Sequence, residues 1–109
     1  MKYEVRITEV APNDLYVIYK YVAINDSPRK AEHLLNNIYK AMSSLETMPA
    51  RGNHPSEMQR WGIFDFREVF FKPYRVIYEI RNKTVFIHAV LDGRRNCEDL
   101  LQRRLLETQ

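Results

Sequence analysis

The sequence predicts an α+β fold, in which a small, mostly antiparallel sheet carries a hairpin of two helices on one face. The chain opens with an alternating segment, continues with two long segments of helical periodicity, and then has three more alternating segments. A last helical segment closes it. The predicted order is therefore β-α-α-β-β-β-α, within one domain that spans residues 1–109.

Two helices follow the first strand and are joined by a short turn. Pro12 suits the first turn of a helix, and apolar residues spaced three or four apart extend that helix to about Ile24. Ser27 can cap the second helix, with Pro28 as its first residue and Pro49 marking its end. We therefore expect an antiparallel helical hairpin that buries its apolar stripes on one face of the sheet and leaves the opposite face open to solvent.

Four segments predict strands. The first has an apolar residue at every second position, which is typical of a strand with one buried face. Lys72-Pro73 and Asn82-Lys83 supply turns between the last three strands, and a loop over residues 49–64 precedes them. The predicted strands cover residues 2–8, 66–72, 74–81 and 84–92.

A C-terminal helix is predicted after the last strand. Leucines at helical spacing indicate it over residues 96–109. Asn96 can cap this helix, and Cys97 is expected to be one of its small apolar residues.

Arginines on the predicted strands are candidates for an anion site. If Arg67 faces as Arg75 does, two guanidinium groups converge on the open face, and Arg94 and Arg95 after the last strand add two more. Such a cluster can bind phosphate or a carboxylate-rich peptide. The alternative is a solvated strand face with ion pairs such as Arg75–Glu79. Arg75 is expected to point away from the helices because its alternating neighbours, which can face them, are Tyr74, Val76, Tyr78 and Ile80.

His88 is the histidine with a possible chemical role. It lies centrally in the last strand, where alternation places it on one face with Phe86 and Val90. Imidazole titrates near neutrality, so His88 could act as a general acid or base, or be a packed, hydrogen-bonded residue. No Cys/His spacing indicates a metal, and no glycine-rich nucleotide loop or serine elbow is present, so we predict neither metal nor cofactor.

Charge and composition indicate the environment. The net charge of +3 comes from the second part of the chain, because residues 1–49 carry 6 basic and 6 acidic residues and residues 50–109 carry 11 and 8. This excess is compatible with an anionic partner. The single cysteine excludes an internal disulfide, and neither a signal peptide nor a membrane span is apparent. We therefore expect a cytoplasmic protein.

Several segments together resemble a known family. They are "ITEVAPNDLYVIYKYVA", "DSPRKAEHLL", "LETMPARG", "FREVFFKPYRVIYEI" and "VFIHAVLDGRRNCEDLLQRRL". In this order, with the A-x-x-DL, PYRxIY and strand-end RR pieces, the chain resembles the RelE/ParE superfamily of bacterial toxins, also called the plasmid stabilisation family. The resemblance implies the toxin of a type II toxin–antitoxin module, bound by a small antitoxin in a hetero-oligomer that contacts operator DNA only through the antitoxin.

The superfamily has two branches with different targets. The ParE-like branch poisons DNA gyrase without known catalysis, and the RelE-like branch cuts mRNA on the ribosome. For the second branch, the resemblance assigns phosphate binding to Arg75, Arg67 and Arg94 or Arg95, and His88 is the candidate for proton transfer. We favour a gyrase poison because the long hairpin is typical of the first branch, with a ribonuclease or an inactive antitoxin-binding member as alternatives. Residues that depart from the ribonuclease pattern are Val69, Leu100 and Leu101.

Overall fold

The computed structural model describes residues 2–107 and has a four-stranded sheet with helices on both faces, which confirms the predicted fold class. Residues 108 and 109 of the predicted C-terminal helix lie outside the described residues. No helix within residues 2–107 combines the length and apolar composition needed to cross a membrane. The strands are β1 (Glu4–Ile7), β2 (Phe66–Phe71), β3 (Tyr74–Arg81) and β4 (Thr84–Asp92). The helices are α1 (Ala11–Asn25), α2 (Pro28–Ser43), α3 (Ser56–Arg60) and α4 (Glu98–Leu101).

Short helical segments complete the chain. Single turns of 3-10 helix, Ser44–Glu46 and Pro49–Arg51, follow α2. After α4 the chain continues as a wider π-type helix, Gln102–Glu107, and we call residues 98–107 the C-terminal helix. The side chain of Asn96 accepts a hydrogen bond from the Glu98 backbone N–H at 3.0 Å, so Asn96 helps to cap this helix from just outside it.

The strand order is β1-β4-β3-β2. β1 runs parallel to β4, while β2, β3 and β4 pair antiparallel in chain order. β1 pairs with β4 only as far as Ile87. Among the described residues, the later part of β4 therefore pairs with β3 on one side and has no strand on the other. That unpaired stretch of β4 contributes to the floor of a groove between α1 and the C-terminal helix, which is described below.

The helical hairpin forms as the sequence predicts. The Ser27 hydroxyl accepts a hydrogen bond from the Lys30 N–H at 3.1 Å, and Pro28 is the first residue of α2. The hairpin packs on one face of the sheet, which we call the hairpin face. Tyr74, Val76 and Tyr78 of β3 point to this face, as predicted. The buried residues of this core are Ala11, Leu15, Ile38, Met42, Leu45, Val69, Tyr74, Val76, Tyr78, Val85, Ile87 and Val90.

We call the opposite face of the sheet the second face. It is covered by other elements, so the expectation that this face is open to solvent is wrong. The C-terminal helix and α3, a short helix within the predicted loop, cover it, and Met58 and Leu101 are fully buried. The physical reason lies in the strands, because apolar side chains also line their second face and would otherwise be exposed to water. Cys97 belongs to this core and lies just before the C-terminal helix, not within it. The other buried residues here are Phe66, Ile77, Ala89 and Leu91.

A β-bulge in β4 changes the orientation of one predicted site residue. Ile77 pairs with Ala89 and Tyr78 pairs with Ile87, which leaves His88 as the extra residue. An extra residue shifts the alternation of side chains by one position. The two parts of β4 on either side of His88 therefore follow different alternation patterns.

Backbone groups around the bulge are bound by side chains of other elements. Asp14 Oδ2 of α1 accepts a hydrogen bond from the Val90 N–H at 3.0 Å. Arg104 of the C-terminal helix donates to the His88 carbonyl at 2.7 Å. The bulge therefore connects α1, the sheet and the C-terminal helix.

Candidate functional site

Arg75 is buried on the second face and bound by two carboxylates. Its Nη1 and Nη2 donate to Glu57 of α3 at 2.8 Å each, and its Nε donates to Glu68 of β2 at 2.6 Å. Arg75, Glu57 and Glu68 are 8%, 9% and 7% exposed, and we call them the Arg75 cluster. The arginine in this otherwise apolar strand is thus neutralised by the protein itself. The expected alternative, a solvated face with an Arg75–Glu79 pair, is wrong because α3 covers Arg75 and supplies Glu57.

The electrostatics of the Arg75 cluster favour the charged forms. The hydrogen bonds that Arg75 donates to Glu57 lower the pKa of Glu57 against the opposing effect of burial, and the same hydrogen bonds raise the pKa of Arg75. Bidentate arginine–carboxylate geometry is strong and directional. The cluster therefore fixes α3 to β2 and β3, and the guanidinium has little capacity left for an external anion.

Gly93 allows the chain to pass close to this cluster. Its N–H donates to the Pro73 carbonyl at 2.8 Å, and a Cβ at position 93 would lie 2.6 Å from that oxygen and 3.1 Å from Arg75 Cγ. Lys72 and Arg94 line the same shallow depression of about 420 Å³. Arg75 and Arg94 are therefore two predicted site residues that the structure brings to one place.

Arg67 lies on the hairpin face, opposite to Arg75. It pairs across the sheet with Tyr78, and residues paired in this way point to the same side. Its Nη1 donates to the carbonyls of Gly52 at 2.8 Å and Ala50 at 3.2 Å. Arg67 and Arg75 therefore do not converge, because Tyr78 and Arg75 are three residues apart on β3 and point to different faces.

His88 points to the second face because of the bulge. It shares this face with Phe86, as predicted, but not with Val90, which packs in the hairpin-face core. Its ring meets the Phe66 ring edge to face. The predicted grouping of His88 with Val90 is therefore wrong, because strict alternation does not hold across the extra residue.

Glu79 is the polar partner of His88. The Nε2 atom of His88 lies 2.9 Å from Glu79 Oε1. Burial of Glu79 opposes its ionisation, but hydrogen bonds from Arg81 and His88 outweigh burial and lower the pKa of Glu79. His88 is thus the packed, hydrogen-bonded residue that the sequence offered as one of two alternatives.

Arg94 and Arg95 follow β4 and are exposed. Arg94 forms side-chain hydrogen bonds with Asp92, at 3.0 Å from Nε and 2.9 Å from Nη2, and these lower the pKa of Asp92. The Arg95 side chain has no ion pair within residues 2–107. Arg75 and Arg94 thus share one depression, while Arg67 lies on the hairpin face and His88 is bound to Glu79 on the second face. Whether any of these residues is catalytic stays a prediction.

A groove runs between α1 and the C-terminal helix. Its volume is about 450 Å³. Tyr74 and Val90 form its floor, Val17 and Tyr21 of α1 form one wall, and the C-terminal helix forms the other. Val17 is 55% and Tyr21 is 61% exposed, so apolar surface faces solvent here. We call this feature the α1 groove.

Two features were not predicted from the sequence, the α1 groove and the carboxylates of the Arg75 cluster. A signal for the groove exists, because Asp14 and Lys20 are the only charged residues among the fifteen of α1. A solvent-exposed helix normally carries more charge on its outer face. The pairing of Arg75 with Glu57 has no local signal, since the two are eighteen positions apart.

Comparisons with known proteins agree with this fold. The family model described as ParE toxin of type II toxin-antitoxin system, parDE, matches residues 5–97. Toxin ParE3 of Caulobacter vibrioides is 30% identical over 89 residues, which cover 82% of this chain and 85% of that protein.

Solved structures share the fold at lower identity. The chromosomal ParDE system of P. aeruginosa matches with a TM-score of 0.69 and 21% identity, covering 82% of this chain and 94% of the other. The RelBE2 toxin–antitoxin complex of Mycobacterium tuberculosis matches with a TM-score of 0.61 and 23% identity, covering 84% and 92%. The family match itself includes the hairpin, the sheet and the arginines after β4. The chain therefore belongs to the ParE toxin family of type II toxin–antitoxin systems.

Proposed function

We propose that this ParE-family toxin acts in the cytoplasm and inhibits bacterial growth by poisoning DNA gyrase through binding, without catalysis, and that a cognate antitoxin encoded next to it neutralises it. The observation that carries the non-catalytic part is the burial of Arg75 between Glu57 and Glu68. A ribonuclease needs positive charge that is free to stabilise the scissile phosphate. Here that charge is already neutralised inside the protein.

The other residues of the alternative ribonuclease site support the same interpretation. Arg67 donates to backbone carbonyls on the hairpin face, and His88 is bound to Glu79 on the second face. A general acid or base must reach the same reacting group as the phosphate-binding residues. Arg67 and His88 lie on opposite faces of the sheet and cannot meet this requirement together, and this supports the gyrase poison over the ribonuclease.

The α1 groove is the surface that suits the antitoxin. Exposed apolar side chains of α1 stand beside a concave floor, and a large apolar patch on the surface of a protein marks an interaction site. Arg95 and Arg103 line this groove and suit carboxylates on the antitoxin. We therefore assign this groove to a helix or strand of the antitoxin. The resulting hetero-oligomer would contact operator DNA through the antitoxin alone.

The experiment is induction of the chain in growing bacteria, with pulse labelling of DNA synthesis and of protein synthesis. We expect DNA synthesis to fall first, with an SOS response, and co-expression of the adjacent gene to restore growth. An earlier fall in protein synthesis, with mRNA cut at codons inside ribosomes, would contradict the gyrase proposal and favour the ribonuclease.

A triple variant separates the role of Arg75 in folding from a role in activity. Replacing a buried ion cluster with apolar residues of similar volume is often neutral or stabilising. The combined changes Arg75→Met, Glu57→Leu and Glu68→Leu should therefore give a folded protein that lacks the guanidinium. We expect this variant to remain toxic. A folded but harmless triple variant would argue that Arg75 takes part in the activity.

A further inference from the structure

The two walls of the α1 groove differ in chemistry and in whether the family model matches them. The α1 wall presents Val17 and Tyr21 and lies within the region that the ParE family model matches, residues 5–97. The opposite wall presents Asp99 and Arg103 of the C-terminal helix, which follows the matched region. One wall is thus mainly apolar and within the family match, and the other is charged and outside it.

Two acidic residues that line the groove are already bound within the chain. Asp14 is bound by Arg104 at 2.8 and 3.0 Å. Asp92 is bound by Arg94 at 2.9 Å. Both carboxylates are therefore neutralised by the chain itself and offer little to a partner.

Other charges along the groove have no such partner. Asp99, Arg103 and Arg95 are exposed and form no ion pair within the part of the chain that the structure describes. Asp99 and Arg103 are four residues apart on one helix and line the same groove. They are charges of opposite sign that remain available to a partner.

The C-terminal helix is held in place on both sides of these charges. Leu101 is fully buried in the second-face core. Arg60 of α3 pairs with Glu98 at 2.7 Å, and Arg104 binds both α1 and the bulge in β4. These contacts fix the helix against α1, α3 and the sheet, so it presents its two available charges in a defined position.

We propose that Asp99 and Arg103 determine which antitoxin this toxin accepts, while the α1 wall supplies most of the affinity. This inference rests on the proposed antitoxin binding. Apolar contacts distinguish poorly between similar amphipathic segments, whereas charges at an interface favour a complementary partner and reject others. The expected occupant is an amphipathic antitoxin segment with apolar side chains on α1 and a carboxylate beside Arg103.

The test exchanges the two charges and leaves the net charge unchanged. The variant combines Asp99→Arg with Arg103→Asp. Its matched control combines Arg29→Glu with Glu32→Arg on the exposed side of α2, away from the groove. The affinity of each purified toxin for the purified product of the adjacent gene is measured by calorimetry. We expect the groove exchange to weaken binding about 10- to 30-fold and the control to change it less than about twofold.

Further measurements separate recognition from folding. Circular dichroism and the thermal midpoint should match those of the wild-type chain. If the exchange does not fold, the single change Arg103→Gln is used, with an expected loss of affinity of about threefold to tenfold. Antitoxin variants in which single acidic residues become lysine are then tested against the folded exchange variant. We expect at least one of them to regain binding, because its new positive charge meets the carboxylate that the exchange introduces.

The outcomes distinguish this inference from the proposed function. A groove exchange that binds the antitoxin within about twofold of the wild-type affinity overturns the specificity role alone. Loss of binding that no charge-reversed antitoxin restores also overturns it, because the two residues would then act through structure. A wild-type toxin that fails to bind the product of the adjacent gene overturns the proposed antitoxin binding, and the specificity role with it.

Discussion

The Arg75 cluster and the α1 groove both contain arginines and acidic residues, but the two regions use them in opposite ways. In the cluster, Arg75 is buried and each of its carboxylate partners lies within 2.8 Å. At the groove, Arg95 and Arg103 are exposed and form no ion pair within residues 2–107. The same kind of side chain therefore stabilises the fold in one region and is available to a partner in the other.

The largest effect is expected from breaking the Arg75 cluster. Arg75→Ala leaves two buried carboxylates without their cation, and removing one partner of a buried ion pair costs about 3–5 kcal/mol of stability. Chemical denaturation should show this loss in the free energy of unfolding. Arg51→Ala, at an exposed arginine that donates to Ser44, is the matched control. Equal losses in the two variants would contradict the distinction between the buried and exposed arginines.

Binding should depend on the apolar wall of the α1 groove. Tyr21→Ala removes an exposed aromatic side chain from the proposed antitoxin site, where such residues contribute about 2–4 kcal/mol to binding. We expect weaker antitoxin binding in calorimetry, with an unchanged thermal midpoint. Tyr39→Ala on α2 removes an exposed tyrosine outside the groove and should leave the affinity unchanged. Equal losses of affinity in the two variants would show that antitoxin binding does not depend specifically on the α1 groove.

Acid should weaken the Arg75 cluster through Glu57. The pKa of Glu57 is lowered in the folded state, so its stabilising effect is fully present above its unfolded pKa of about 4.3 and is lost as pH falls through the lower folded value. Glu57→Gln removes a charged hydrogen-bond partner but leaves Glu68 with Arg75, which should cost about 1–2 kcal/mol at pH 7.

The measurement for this change is the free energy of unfolding of both proteins from pH 7 to pH 3. We expect the difference between wild type and Glu57→Gln to shrink as the pH falls below about 4. A difference that stays constant over this range would show that ionisation of Glu57 does not stabilise the fold.

The smallest effect is expected from the exposed ion pair at the end of β4. Arg94→Gln breaks its contact with Asp92, but solvent screens charges at such positions, so the thermal midpoint should not change measurably. Differential scanning calorimetry at low and high salt provides the check. A clear fall in the midpoint would mean that Arg94 stabilises the chain as Arg75 does.

Local patterns predicted most of the fold. Alternation and helical spacing located the strands and the hairpin, and Ser27 caps α2 as expected. The same patterns failed for the second face, because its cover comes from α3 and the C-terminal helix, which pack on it only in the folded chain. They also failed to predict that His88 and Val90 point to different faces. A single bulge shifts the alternation by one residue, and the position of the bulge depends on the pairing of β4 with β3.

Local periodicity and short motifs were enough to establish the order of elements, the orientation of β3 and the family resemblance, because none of these depends on contacts between distant residues. The roles of the charged residues depend on the tertiary structure instead. Arg75 meets Glu68 and Glu57 across separations of 7 and 18 residues, and Asp14 meets Arg104 across 90. Such pairs form only when packing brings these segments together, and burial then decides whether a charge is neutralised within the chain or left for a partner.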